Sequence, residues 1–265
     1  MDLIGHLHCN VFNQDKLLLN GVEVYLHLVR SKNAFCLMDA STRNYSVSIT
    51  EAILLVQRVK VSPTVLIARA KSLASTTAKY PITRVEVKSF TMHSGTTGDC
   101  LENVILGQLP KKIILGSVDN KAFNGDRKLN LFNFQNYSNN FMSLYVNGVQ
   151  IPSKPLQPTF TRSGSMYVEA YQILFSGSGI HNMNEGNKIH RKNYPKGYCL
   201  FAFDLTLDLP THFAGHWNLV RNKSVRVEVR FETPLTKTIN CALYSELDKV
   251  LEIDSDRHIV VDFNA

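Results

Sequence analysis

The chain is poor in the residues that would tie a small framework together. Its 265 residues include five cysteines, Cys9, Cys36, Cys100, Cys199 and Cys241, an odd number, widely spaced and without a C-x-x-C pair. That excludes a disulfide scaffold and a zinc finger, and leaves five reduced, mostly buried thiols as the expectation. Long apolar runs are also missing: residues 52–56 and 198–203 are the longest stretches, far short of the ~20 residues a spanning helix requires. Membrane insertion is therefore not expected. The opening MDLIGHLHCN has no basic stretch leading into an apolar one, so it reads as lacking a secretory signal, with cytoplasm or nucleus as the expected location. No G-x-S-x-G, no P-loop and no repeat of 20–50 residues occurs.

What is present is alternation. Residues 225–231 place Val225, Val227, Val229 and Phe231 on one face and Arg226, Glu228 and Arg230 on the other, as a strand with one wet side must. In 199–209, Phe201, Phe203, Leu205, Leu207 and Leu209 share a face opposite Asp204, Thr206 and Asp208. A wide loop instead of a tight turn joins these two segments, which is sandwich wiring. Further strands are expected at 22–29 (VEVYLHLV, after an Asn20-Gly21 type I′ turn), 52–61 (AILLVQRVKV), 84–88, 112–118, 239–244, 250–253 and 259–261, with a hairpin over 144–151 around Asn147-Gly148. Between 118 and 141 an Asn- and aromatic-rich loop is expected. Ser62-Pro63, a hydroxyl cap followed by a preset φ, predicts a helix over 63–74, and Tyr167, Tyr171, Leu174 and Phe175 predict one or two helical turns ending near Gly177. With 44% apolar and 19% charged residues, the chain has enough apolar material for a real core.

The candidate sites are weak as chemistry. His6-x-His8 has the spacing that puts two imidazoles on one face of a strand, but Val11 and Phe12 stand where a metal-binding cupin would need a glutamate. His212 and His216, beside Phe213 and Trp217, follow Pro210 in a loop, where four-residue spacing implies no common face. Gly177-Ser178-Gly179 reads as a turn, and Asp254-Ser255-Asp256 as a hydrated pair. Asn44, Asn136 and Asn222 head glycosylation sequons that matter only in a secreted chain. The formal charge is +7, and scattered strand-face lysines and arginines account for most of it. The local exception is KIHRKNYPK, where Lys188, Arg191, Lys192 and Lys196 can touch phosphates or simply be solvated. The solvated loop is the favoured reading, and nucleic-acid contact is unsupported at this level. No catalytic residue, metal ligand, cofactor or small-molecule substrate is assigned, and the chain reads as a non-enzyme.

The order of the segments resembles the double jelly-roll major capsid proteins of large DNA viruses and of Maverick (Polinton) virus-like transposons, including capsid-like proteins of such elements in animal genomes. LLLNGVEVYLHLVRSKNAF and EAILLVQRVKVSPTVLIARAK are similar to the last strands of that family's first roll and its linker helix. TRVEVKSF, LPKKIILGSVDN, SLYVNGVQIP, KGYCLFAFDLTLDL, HWNLV, SVRVEVRF and CALYSELDKVLEI are similar to the second roll from start to end. The resemblance implies an all-β chain in three parts: residues 1–62 as closing strands of an N-terminally truncated first jelly roll, 63–79 as linker helix, and 80–265 as a complete second roll. It implies a structural subunit that forms homotrimers within an icosahedral shell, partnered by itself and other capsid subunits and located in the virion. Residues 2–61 would then carry unpaired edges and a half-covered apolar face. The alternatives are a jelly-roll module binding glycans or proteins, with Trp217, Tyr194 and Tyr198 as stacking groups, a metal-dependent cupin-like enzyme, and a co-opted or functionless capsid remnant in a host genome.

Overall fold

Asn147 and Gly148 both have positive φ (49° and 82°), which asparagine and glycine tolerate at little cost, and they close a two-residue hairpin as the sequence predicts. Around this tip the rest of the fold is organised. The computed structural model describes residues 2–14, 16–39, 45–161, 165–180, 186, 188–206 and 222–261. Its elements in chain order are α1 (Asn33–Cys36), α2 (Pro63–Leu73), β1 (Ala78–Met92), β2 (Gly98–Gln108), β3 (Lys112–Asp119), α3 (Asn120–Phe123), β4 (Phe134–Gln135), β5 (Asn139–Val146), β6 (Val149–Leu156), α4 (Val168–Ser178), β7 (Lys196–Gly197), β8 (Leu200–Asp204), β9 (Asn222–Phe231), β10 (Ile239–Ile253) and β11 (Ile259–Val261).

Eight of these strands form two sheets, ordered β1-β10-β3-β8, with β11 added to β10, and β2-β9-β5-β6. The pairs β10–β3, β3–β8, β2–β9, β9–β5 and β5–β6 are antiparallel. Counting only the eight, the fourth strand pairs with the fifth, the third with the sixth, the second with the seventh and the first with the eighth. That is one long hairpin rolled so that successive rungs fall in alternate sheets, the wiring of a jelly roll. The fold is an all-β jelly-roll sandwich. Its inner faces share one core, with Ile113, Leu115 and Leu243 from one sheet and Leu144, Val225 and Val227 from the other, all fully buried. Phe201, Phe203, Val229 and Phe231 join them, and Leu205 packs against the cluster half-buried.

The chain divides into two compact units, Met1–Arg30 with Val47–Arg84 and Asp248–Asn264, and Ser31–Ser46 with Val85–Leu247 and Ala265. In the first, β11 pairs with the end of β10, Leu73, Tyr80 and Ile253 are buried, and Glu252 bridges Lys79 (3.1 Å) and the Thr77 hydroxyl (2.6 Å). The second holds the core described above.

Several expectations are corrected. Residues 22–29 and 52–61 form no strand, and Gly21 alone takes positive φ, so there is no type I′ hairpin there: among the described residues no neighbouring strand offers a ladder. The strand expected over 199–209 ends at Asp204, because the Asp204 carboxylate captures both the amide (2.9 Å) and the hydroxyl (2.6 Å) of Thr206 and turns the chain. Leu207 and Leu209 lie outside the described residues. Ser62 precedes Pro63 at the start of α2 but its side chain makes no cap bond. The expected loop after β3 contains α3 and β4, and the two strands expected at 239–253 are the single strand β10. The helix expected to end near Gly177 is α4, which ends at Ser178 as expected but runs 11 residues instead of one or two turns, so Gly177 and Ser178 are helical and not a turn, and Gly179, at φ 81°, is the left-handed terminator. Cys199 and Cys241 are buried, but Cys9, Cys36 and Cys100 are exposed, so most of the thiols lie on the surface.

Candidate functional site

The basic loop before β8 is held by two phenols. Tyr194 is wholly buried, its hydroxyl donating to the Leu200 carbonyl at 2.9 Å with the Ala170 carbonyl at 3.3 Å beside it, and Tyr171 donates to the Ile189 carbonyl at 2.7 Å. Turn bonds from Asn193 and Tyr194 to the His190 carbonyl, and from Lys196 to the Asn193 carbonyl, tighten the loop. Tyr167 stacks between Phe160 and Tyr194, and the Arg191 guanidinium lies over the Tyr167 ring. Lys188, Arg191, Lys192 and Lys196 all remain exposed. The structure thus brings the four predicted cations onto one anchored loop. Burial pushes Tyr194 well above the usual phenol value and the Cys199 thiol up to about 12, so both stay protonated at neutral pH. A buried Tyr194 cannot stack on a glycan, which removes it from the lectin-like alternative. Tyr198 is exposed, and Trp217 lies outside the described residues, as do His212 and His216.

This loop is joined to a second segment that sequence reasoning set aside as irregular. Phe134 pairs with Gly197 and Gln135 with Lys196, the Cys199 amide donates to the Phe134 carbonyl (3.0 Å), and the Asn136 amide to the Pro195 carbonyl (3.0 Å). Asn136 is thereby committed to the fold. Gly197, at φ 104°, has Asn133 Oδ1 2.7 Å from where a Cβ would stand, so only glycine allows this approach.

The remaining candidates dissolve on inspection. His6 and His8 are exposed in a segment without strand, so the shared face they require does not exist. Asp254, Asp256 and His258 can each bring one ligand atom within 4.8 Å of the others, His258 being the member the sequence did not suggest. The Asp254 carboxylate accepts from the His258 amide at 2.8 Å, which is ordinary turn chemistry. A cleft of about 440 Å³ in the first unit is lined by Lys16, Arg69, Ser72, Thr77 and Tyr80 among others. The Thr77 and Tyr80 hydroxyls are spent on Glu252 and the Leu17 carbonyl, and Lys16 on the Lys79 carbonyl. The outer face of β9 is a ladder in which Arg226 covers Tyr145 and Arg230 covers Phe141, with Glu228 between. Among the described residues, exposed apolar side chains are concentrated in the segments that failed to form strands: Val24, Tyr25, Leu26, Leu28 and Val29 in one, and Ile53, Leu54, Leu55, Val56 and Val59 in the other.

No family model matches the chain. It is 26% identical over 265 residues to "Uncharacterized protein F54H12.2" of Caenorhabditis elegans, a match that takes in 97% of this chain and 62% of that protein, so the chain spans less than two thirds of this relative's length. Among solved structures it is similar to the quasi-atomic PBCV-1 virus capsid (10% identity, TM-score 0.43, 75% of this chain and 55% of that one). It is also similar to the mavirus major capsid protein (11% identity, TM-score 0.39, 70% and 41%). With scores this low, the jelly-roll assignment rests on the chain's own strand order. No helix among the described residues is long and apolar enough to cross a membrane.

Proposed function

We propose that the protein is a structural subunit that assembles with copies of itself into homotrimers, in the manner of the double jelly-roll capsid proteins of large DNA viruses and Maverick/Polinton elements. Its place is the virion, its partners are capsid subunits, and its activity is association, not catalysis. The observation that carries this reading is the exposure of large aliphatic and aromatic side chains along 24–29 and 53–59, both patterned as strands and both without a ladder. Apolar surface in contiguous strand-patterned runs is what an interface leaves behind when the partner is removed. Stable obligate interfaces of this kind bury about 2,000 Å² or more. Under the same reading residues 1–62 are what remains of a first roll, without strands among their described residues, 63–79 are its linker helix and 80–265 the second roll.

Light scattering coupled to size-exclusion chromatography on the full chain tests this. The expected result is a concentration-dependent species of three times the 29.9 kDa subunit mass. Leu28→Asp with Leu55→Asp should abolish it while leaving the melting of the roll unchanged. A monomer at every concentration would sink the proposal.

A further inference from the structure

We propose that the surface built from the basic loop at 188–198 and the segment leading into β4 binds single-stranded nucleic acid, with phosphates on its lysines and arginines and bases stacked on Phe132 and Tyr198. Charge comes first. Residues 127–138 and 186–203 contain six lysines and arginines and no carboxylate. Three carboxylates stand at the edges of these windows: Asp126 and Asp204 each spend an oxygen on a local amide, of Lys128 and Thr206, and Glu185 lies outside the described residues. Among the described residues, Lys188, Lys192 and Lys196 form no ion pair.

Geometry comes second. The β4–β7 pairing and the Asn136–Pro195 bond hold the two segments together, while Tyr171 and Tyr194 fix the loop from beneath. Arg191 is held over Tyr167 yet stays open to solvent. A merely solvated loop needs none of this anchoring. The aromatic groups come third: Phe132, two residues before β4, is 71% exposed, and Tyr198, directly after β7 and bridged to Phe134, is 49% exposed, so two planar rings are left in water in the segments that flank the ribbon. Cations that track phosphates beside rings that accept any base are the two components of sequence-tolerant single-strand binding. An acidic peptide would use the charge but has no need of the rings. This surface is distinct from the segments proposed for self-association.

The test is fluorescence anisotropy of the full chain with a fluorescein-labelled oligothymidylate, over a series of salt concentrations. With four phosphates engaged, log K should fall against log salt with a slope of about −3. Replacing Lys188, Arg191, Lys192 and Lys196 together by Gln should weaken binding at low salt at least about tenfold and flatten that slope. Phe132→Ala with Tyr198→Ala should weaken it at least about thirtyfold and leave the slope alone. All six side chains are exposed and only Arg191 has a ring contact to lose, so circular dichroism melts should move little. The proposal is overturned by an absence of salt-dependent binding, by indifference to the aromatic substitutions, or by equal competition from polyglutamate or phosphatidylserine vesicles at matched charge. Because light scattering reads assembly independently, variants that lose the oligonucleotide yet still associate separate this proposal from the preceding one.

Discussion

Val227 and Arg226 are adjacent and opposite. Val227 is fully buried between the sheets, so Val227→Asp places a carboxylate where nothing can pair with it and should cost several kcal/mol, about half or more of a typical domain's stability. Arg226 is exposed enough to tolerate change, but it lies 4.2 Å from the centre of the Tyr145 ring and 3.5 Å from Glu102. Arg226→Asp, which also adds a negative charge near Glu102 and Glu228, should therefore cost about 1 kcal/mol; urea melts of the two variants measure the contrast. Lys249 presents the opposite case, a buried side chain whose ammonium has no hydrogen-bond partner among the described residues. Lys249→Met removes that burden and should stabilise the protein by about 1 kcal/mol, seen as a higher urea midpoint. Asp119 is partly buried, which opposes ionisation, but Lys237 and the Lys121 amide outweigh this and hold its carboxyl below the usual value. The folded-state pKa is depressed, so the stabilisation is present above the unfolded pKa of about 4 and is lost as pH falls through the lower folded value. In Asp119→Asn that acid-side loss should be smaller, as acid titration followed by circular dichroism would show.

At the scale of elements, alternation was a sufficient signal where a partner strand exists. β9 reads from its sequence as it stands in the fold, and the hairpin at Asn147-Gly148 needs only its two turn residues. Alternation was insufficient at 22–29, where Val24, Leu26 and Leu28 have the right period, because a strand is a property of two segments and a sequence shows one. Local polar chemistry overrode the pattern at Asp204, whose side chain stops β8 short. The two glycines near the end of α4 were legible only as a pair: Gly179 supplies the left-handed stop, while Gly177 lets the helix approach β8. A Cβ at Gly177 would stand 2.4 Å from the Ala202 carbonyl oxygen. Gly177→Ala should thus lower the thermal midpoint despite alanine's roughly 1 kcal/mol advantage in helices, because overpacking costs about 1–3 kcal/mol and the atom it meets belongs to the backbone, which cannot swing aside.

For the whole molecule, thiol accessibility reports whether the roll is closed. A thiol reagent should modify Cys9 and Cys36 quickly and Cys100 more slowly, since partial burial and Glu102 push the Cys100 thiol up, while Cys199 and Cys241 react only on unfolding. Five equal rates would contradict the packed sandwich. The candidate nucleic-acid surface was half legible: KIHRKNYPK stood out as a run of charge, but nothing in the sequence paired Phe134, more than fifty residues earlier, with Gly197 and Tyr198. By itself the sequence determined the all-β class, the hairpin tip, the inward face of β9 and the absence of a disulfide framework, because these depend on period, turn chemistry and residue counts. The tertiary structure alone decided the rolled strand order, which alternating segments lacked a ladder, and which cations share a surface with aromatic rings, because each of those depends on contacts between residues far apart in the chain.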